Sequence, residues 1–108
     1  MNKALLSLLI LAGAIMASAD NNPNLIISPS PVAVIAGNTQ QFVAAFSDST
    51  EVLNCTWLTT GAANAVQSTG VNSAIFAAGS LKSTYVVTAS CTNASGFTAM
   101  GIAVVAVT

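Results

Sequence analysis

The chain has 108 residues, of which 54% are hydrophobic and only 5% charged, with a net charge of −1. That length holds a single domain, because a compact core is usually built from about 100 to 150 residues. Lys3 and Lys82 are the only cations, which excludes nucleic-acid binding through phosphates and a polybasic grip on anionic lipid.

Ser, Thr, Asn, Gln and Ala replace most of the roughly 25% of charged residues found in an ordinary soluble domain. A surface kept soluble by hydroxyls and amides suits extracellular modules and assembled fibres more than the cytosol.

Residues 1–19 comprise a positive start, Met1-Asn2-Lys3, an apolar run from Ala4 to Ala17 and the small-residue triplet Ala17-Ser18-Ala19. This three-part pattern predicts a secretory signal peptide cleaved before Asp20, leaving a mature domain over 20–108. The apolar run is shorter than the roughly 20 residues that cross a bilayer as a helix, so no stable membrane span is expected after processing. Lys3-Ala4 followed by Leu5-Leu6 also resembles the processing site of archaeal type IV pilin precursors. That resemblance implies a retained apolar helix in a filament core.

From Asn24 onward, short apolar runs of alternating character are separated by turn residues, the spacing of an all-β sandwich or barrel. Leu25–Ile27 and Val32–Ala36 read as one first strand broken by Pro29 and Pro31. Prolines cannot donate to a ladder and so mark an edge or a strand that switches sheets. After Gly37-Asn38, Phe42, Ala44 and Phe46 alternate with Gln41, Val43 and Ala45 in a second strand, which ends in the polar turn Ser47–Thr50. Val52–Thr59 forms a third, with Leu53, Cys55 and Trp57 expected on the inner face and Asn54, Thr56 and Leu58 on the outer. Gly61–Gly70 reads as a loop holding one short strand around Val66, and Ile75-Phe76 marks another strand. Tyr85, Val87, Ala89 and Cys91 alternate along the next, and Phe97–Val107 supplies a long final one. Phe42, Trp57, Tyr85 and Val87 are the expected core.

Two cysteines allow one intramolecular pairing, Cys55 to Cys91. In an immunoglobulin-like strand order the third and penultimate strands are antiparallel neighbours, and Cys55 begins its strand while Cys91 ends its own. Alternation turns both inward, with Trp57 and Ala89 as the next facing pair. A metal site would need further ligands, and the chain has no histidine and three carboxylates. A redox motif would normally bring the two cysteines close in sequence.

Leu25-Ile26-Ile27-Ser28-Pro29, Val34 to Phe42 with its Gly37-Asn38-Thr39-Gln40-Gln41-Phe42 element, Thr56-Trp57, and the stretch from Ala78-Gly79 to Tyr85-Val86-Val87-Thr88-Ala89 together resemble a bacterial immunoglobulin-like domain of the Big type. The resemblance covers essentially all of the mature chain. It implies an immunoglobulin-like Greek-key β-sandwich of about seven strands, preceded here by the N-terminal apolar segment, and a setting in secreted or surface proteins, adhesins and phage particles. It brings no catalytic residues and no cofactor. The chain departs from many such relatives in its Cys55 and Cys91 pair and in standing alone.

Few residues invite chemistry. Asp48 and Glu51 are the only paired carboxylates away from the mature N-terminus and read as a solvated turn rather than an acid–base pair or a calcium site. Without histidine, the many Ser and Thr hydroxyls lack a base, so no enzyme is expected. Asn54-Cys55-Thr56 and Asn93-Ala94-Ser95 match the N-glycosylation acceptor pattern. Asn54 is expected outward and Asn93 in a turn, both accessible. Phe42, Trp57 and Tyr85 would suit a sugar-stacking platform if exposed, but alternation assigns Trp57 and Tyr85 to the core.

The first and last strands are long, uncharged and β-prone, and such edges pair with another chain unless protected. The expected function is a secreted or cell-surface structural or adhesive module that associates with itself as a filament or sheath subunit. A secreted glycan- or surface-binding module and a pilin-like subunit are the alternatives.

Overall fold

Period-two alternation runs through residues 23–108, which a computed structural model describes, and every regular element there is a strand. Residues 1–19 and the cleavage site before Asp20 lie outside the described residues, so the signal-peptide and pilin-helix readings do too. Strands β1 (Leu25–Ser28), β3 (Thr39–Phe46), β6 (Ser73–Ala77) and β5 (Ala65–Ser68) form one sheet in that order. Strands β2 (Val32–Val34), β8 (Thr98–Val107), β7 (Thr84–Asn93) and β4 (Val52–Thr59) form the other.

Eight strands stand where about seven were expected because the prolines divide the first strand. β1 pairs antiparallel with β3, whereas β2, beyond cis Ser28–Pro29 and cis Ser30–Pro31, pairs parallel with the end of β8 in the opposite sheet. The expected switch between sheets therefore occurs across Pro29-Ser30-Pro31. All other strand pairs are antiparallel.

The core lies between the sheets. Phe42, Ala44 and Phe46 of β3 and Ala74 and Phe76 of β6 face Trp57 of β4, Val87, Ala89 and Cys91 of β7, and Ala103, Val105 and Val107 of β8. The Phe42 and Phe76 rings meet edge to face with centroids 6.4 Å apart, the arrangement aromatic quadrupoles favour. Each buried Phe contributes about 1.5 to 3 kcal/mol through burial. Of the expected core residues, Phe42, Trp57 and Val87 are buried, and Tyr85 is half-buried against the cluster.

One expectation fails in β4. Leu53, assigned inward, is 48% exposed, and Val52 takes the core position. The β4–β7 register slips between Val52 and Asn54. A bulge at that point reverses the phase of the residues before it, so alternation counted back from Trp57 places Leu53 on the wrong face.

No helix among the described residues is long and apolar enough to cross a membrane, which says nothing of a β-barrel.

Candidate interaction surface

Cys55 and Cys91 form the disulfide, and they are directly opposed across β4 and β7 with Cα atoms 4.1 Å apart. That separation is characteristic of a non-hydrogen-bonded antiparallel pair. Trp57 opposes Ala89, as alternation requires. Cys91 is fully buried and Cys55 half-buried. A cross-strand disulfide within one sheet fits an oxidising compartment.

Asp48 and Glu51 do not share a pocket: Glu51 lines a shallow one with Ser49, Thr50 and Asn72, and Asp48 does not. Asp48 Oδ1 accepts from the Thr50 amide at 3.0 Å and from the Thr50 hydroxyl at 2.6 Å, closing a local turn of the kind Asp favours. Those two bonds hold the fully exposed Asp48 carboxyl below its ordinary value.

The two glycosylation sequons part company. Asn54 is exposed on the outer face of β4. Asn93, expected to be accessible, is only 1% exposed. Its Oδ1 accepts from the amides of Ser95 and Phe97 at 3.0 and 2.9 Å, and its Nδ2 donates to Thr50 Oγ1 at 2.9 Å. The side chain that would carry a glycan instead caps the β7–β8 hairpin from within, because Asn readily bonds the backbone two residues on.

The aromatic platform does not form. Phe42 and Trp57 lie in the core, and the Tyr85 hydroxyl donates to the Leu81 carbonyl at 2.9 Å, at the start of β7. Gly61, at φ +88°, lets the chain pass beside the Tyr85 ring, since a Cβ there would come within 2.6 Å of it. Trp57 Nε1 is buried without a hydrogen-bond partner, an omission that costs about 1 to 3 kcal/mol.

What remains is surface. On the outer face of the second sheet, Leu58 of β4 lies in one row with Thr88 of β7 and Ile102 of β8, and Met100 pairs with Ser90 in the row beside it. Leu58, Met100 and Ile102 are each at least 59% exposed. Ile26, Val43 and Ile75 are exposed on the outer face of the first sheet. Among the described residues the only charges are Asp48, Glu51 and Lys82, and none lies within a strand. Both outer faces are therefore uncharged. The exposed apolar residues of the second sheet were readable as outward positions in the alternation, but only the sheet order brings them into adjoining rows.

A groove of about 550 Å³ runs between β1 and the first half of β8, lined by Leu25 to Ile27, Ser30 and Ala99 to Ile102. Its walls close in at Gly101, where a Cβ would lie 2.6 Å from the Leu25 carbonyl oxygen.

No protein-family model matches the chain, and no curated protein matches it.

Proposed function

We propose that this protein is a non-catalytic extracellular structural or adhesive module, a subunit that assembles with copies of itself into a surface filament or sheath. The observation that carries the reading is the surface. Ten large hydrophobic residues are exposed on a sandwich whose described residues hold three charges. Leu58, Met100 and Ile102 stand in adjoining rows of one outer face, clustered apolar surface marks an interaction site, and near-zero net charge removes the repulsion that keeps domains apart.

The scaffold for this role is read as an immunoglobulin-like Greek key of the Big type. The strand order supports it: the four-stranded sheet β1-β3-β6-β5 and the sheet of β4, β7 and β8 correspond to the two sheets of that fold. So does the Tyr85 hydroxyl bonded back to Leu81 at the corner before the penultimate strand, together with a buried Trp57 on the third. Secretion is supported by the disulfide and by the N-terminal pattern of residues 1–19.

Electron microscopy of the purified protein at high concentration tests the assembly. Ordered polymers are expected, and a product that stays monomeric throughout would overturn it. The N-terminal residue of native material separates the two routes of export: Asp20 marks secretory cleavage and Leu5 a retained pilin-like helix.

A further inference from the structure

We propose that the open edge of β4 is a self-pairing site, where β4 of a second copy adds antiparallel to make one continuous eight-stranded sheet. This rests on the self-assembly reading above and names the surface that performs it.

The argument begins with which edges are guarded. β1 and β5 are four residues long, and β1 runs directly into Pro29 and Pro31. β8 is covered by β2 over Val105–Val107, and the Ser30 hydroxyl caps the Val104 amide at 3.0 Å. The open half of β8 that remains faces the β1 groove. β4 is different. It is eight residues long and ends its sheet, and it contains neither proline nor charge. The devices that natural proteins use to blunt an edge are short strands, prolines, lysines and bulges. Apart from the bulge at its very start, β4 has none of them.

The backbone of β4 is also oriented for pairing. Cys55 and Cys91 form a non-hydrogen-bonded pair, and the Thr60 amide donates to the Val86 carbonyl. Both facts set the same parity. Thr56 and Leu58 bond to β7, while the N–H and C=O groups of Cys55, Trp57 and Thr59 point to the open edge. Among the described residues no strand pairs with β4 on that side. A second β4 placed antiparallel about Trp57 would satisfy all three in each copy through about six interchain bonds.

The occupant is a second copy because the edge sequence suits itself. About that two-fold, Cys55 faces Thr59 and Thr56 faces Leu58, so no like charges meet. Leu58, 67% exposed on the outer face, would stand opposite Thr56 of the second copy, an uncharged pair at the junction.

Amide hydrogen exchange followed by NMR, with sedimentation on the same samples of the full chain, tests this. On concentration, exchange at Cys55, Trp57 and Thr59 is expected to slow by about tenfold or more, while Thr56 and Leu58, already bonded, stay unchanged. The double substitution Thr56→Lys, Leu58→Lys on the exposed face, and separately Thr59→Pro at an outward N–H, should abolish association. Ile75→Lys, the same charge on the other sheet, should not. Association with those three amides unprotected would overturn the edge pairing and leave self-assembly standing. A chain that never associates would overturn both. A dimer abolished at β4, without longer polymers, would uphold the edge and overturn the filament.

Discussion

Asn93 Nδ2 donates to Thr50 Oγ1 over 2.9 Å, and this contact ties the turn after β3 to the hairpin between β7 and β8. The Thr50 hydroxyl in turn donates to Asp48, so the two turns share one hydrogen-bond chain that starts in a buried amide and ends in solvent. Asn93→Ala strands the Ser95 and Phe97 amides and should cost about 2 to 4 kcal/mol in urea or thermal unfolding. Asn93→Asp keeps the acceptor but loses the donor to Thr50 and buries a charge, so it should be no better. Wild-type stability in either variant would show that the cap contributes nothing.

The same burial separates the two sequons. In a host that attaches N-glycans, mass spectrometry of tryptic peptides should find sugar on Asn54 and none on Asn93, since the transferred chain would have to replace a buried, doubly accepting side chain. Occupancy of Asn93 in folded protein would contradict the hairpin geometry.

Removing the disulfide should be costly. Cys55 and Cys91 close a loop across a sequence separation of 36, and on the chain-entropy model its loss, in Cys55→Ala with Cys91→Ala, costs about 3 to 4 kcal/mol. The substitutions leave the β4–β7 ladder in place, so the double variant should still fold, with a lower melting temperature. An unchanged midpoint would mean that the reduced unfolded chain is already constrained.

Much of this fold was legible because period-two alternation is a local signal. Phe42, Ala44 and Phe46 are buried, and Trp57 faces Ala89, as counting alternate residues requires. Leu53 was misplaced because a bulge is defined by the partner strand, which local sequence does not display. Asn93 was misread because Asn-Ala-Ser is equally an acceptor pattern and a hairpin cap, and only burial separates the two. The open edge of β4 was hidden for a broader reason. The edge of a sheet depends on strand order, a non-local property, whereas the β-prone stretches at the two ends of the chain are visible in local sequence.

Acid should act through Asp48. Bonds from Thr50 hold its folded carboxyl below the ordinary aspartate value, so its contribution to stability is fully present above the unfolded pKa of about 3.9. It is lost as pH falls through the lower folded value. Carbon-13 NMR should find Asp48 titrating below an ordinary aspartate, and Thr50→Val should move it upward while the Thr50 amide bond keeps part of the shift. The carboxyl is fully exposed, so the effect belongs in the titration curve more than in the melting temperature. A wild-type Asp48 that titrates at or above the ordinary value would sink the assignment.

Gly101 offers the sharpest test of how the two sheets meet. It lies on the inward face of β8, between half-buried Ala99 and buried Ala103, where alternation would normally call for a side chain. A Cβ there would come within 2.6 Å of the Leu25 carbonyl oxygen and 3.4 Å of Ile27 Cγ1, so the position is vacant because β1 passes directly over it. The obstacle is backbone, which cannot rotate aside as a side chain can. Gly101→Ala should therefore cost about 1 to 3 kcal/mol by overpacking, and Gly101→Val more, with the strain felt first where β1 joins β3. Hydrogen exchange should show this as faster exchange along the β1–β3 ladder at Ile26 and Ala45, with the β7–β8 ladder at Val87 and Ala103 unaffected. If instead both ladders loosen together, β1 is not the element that Gly101 accommodates.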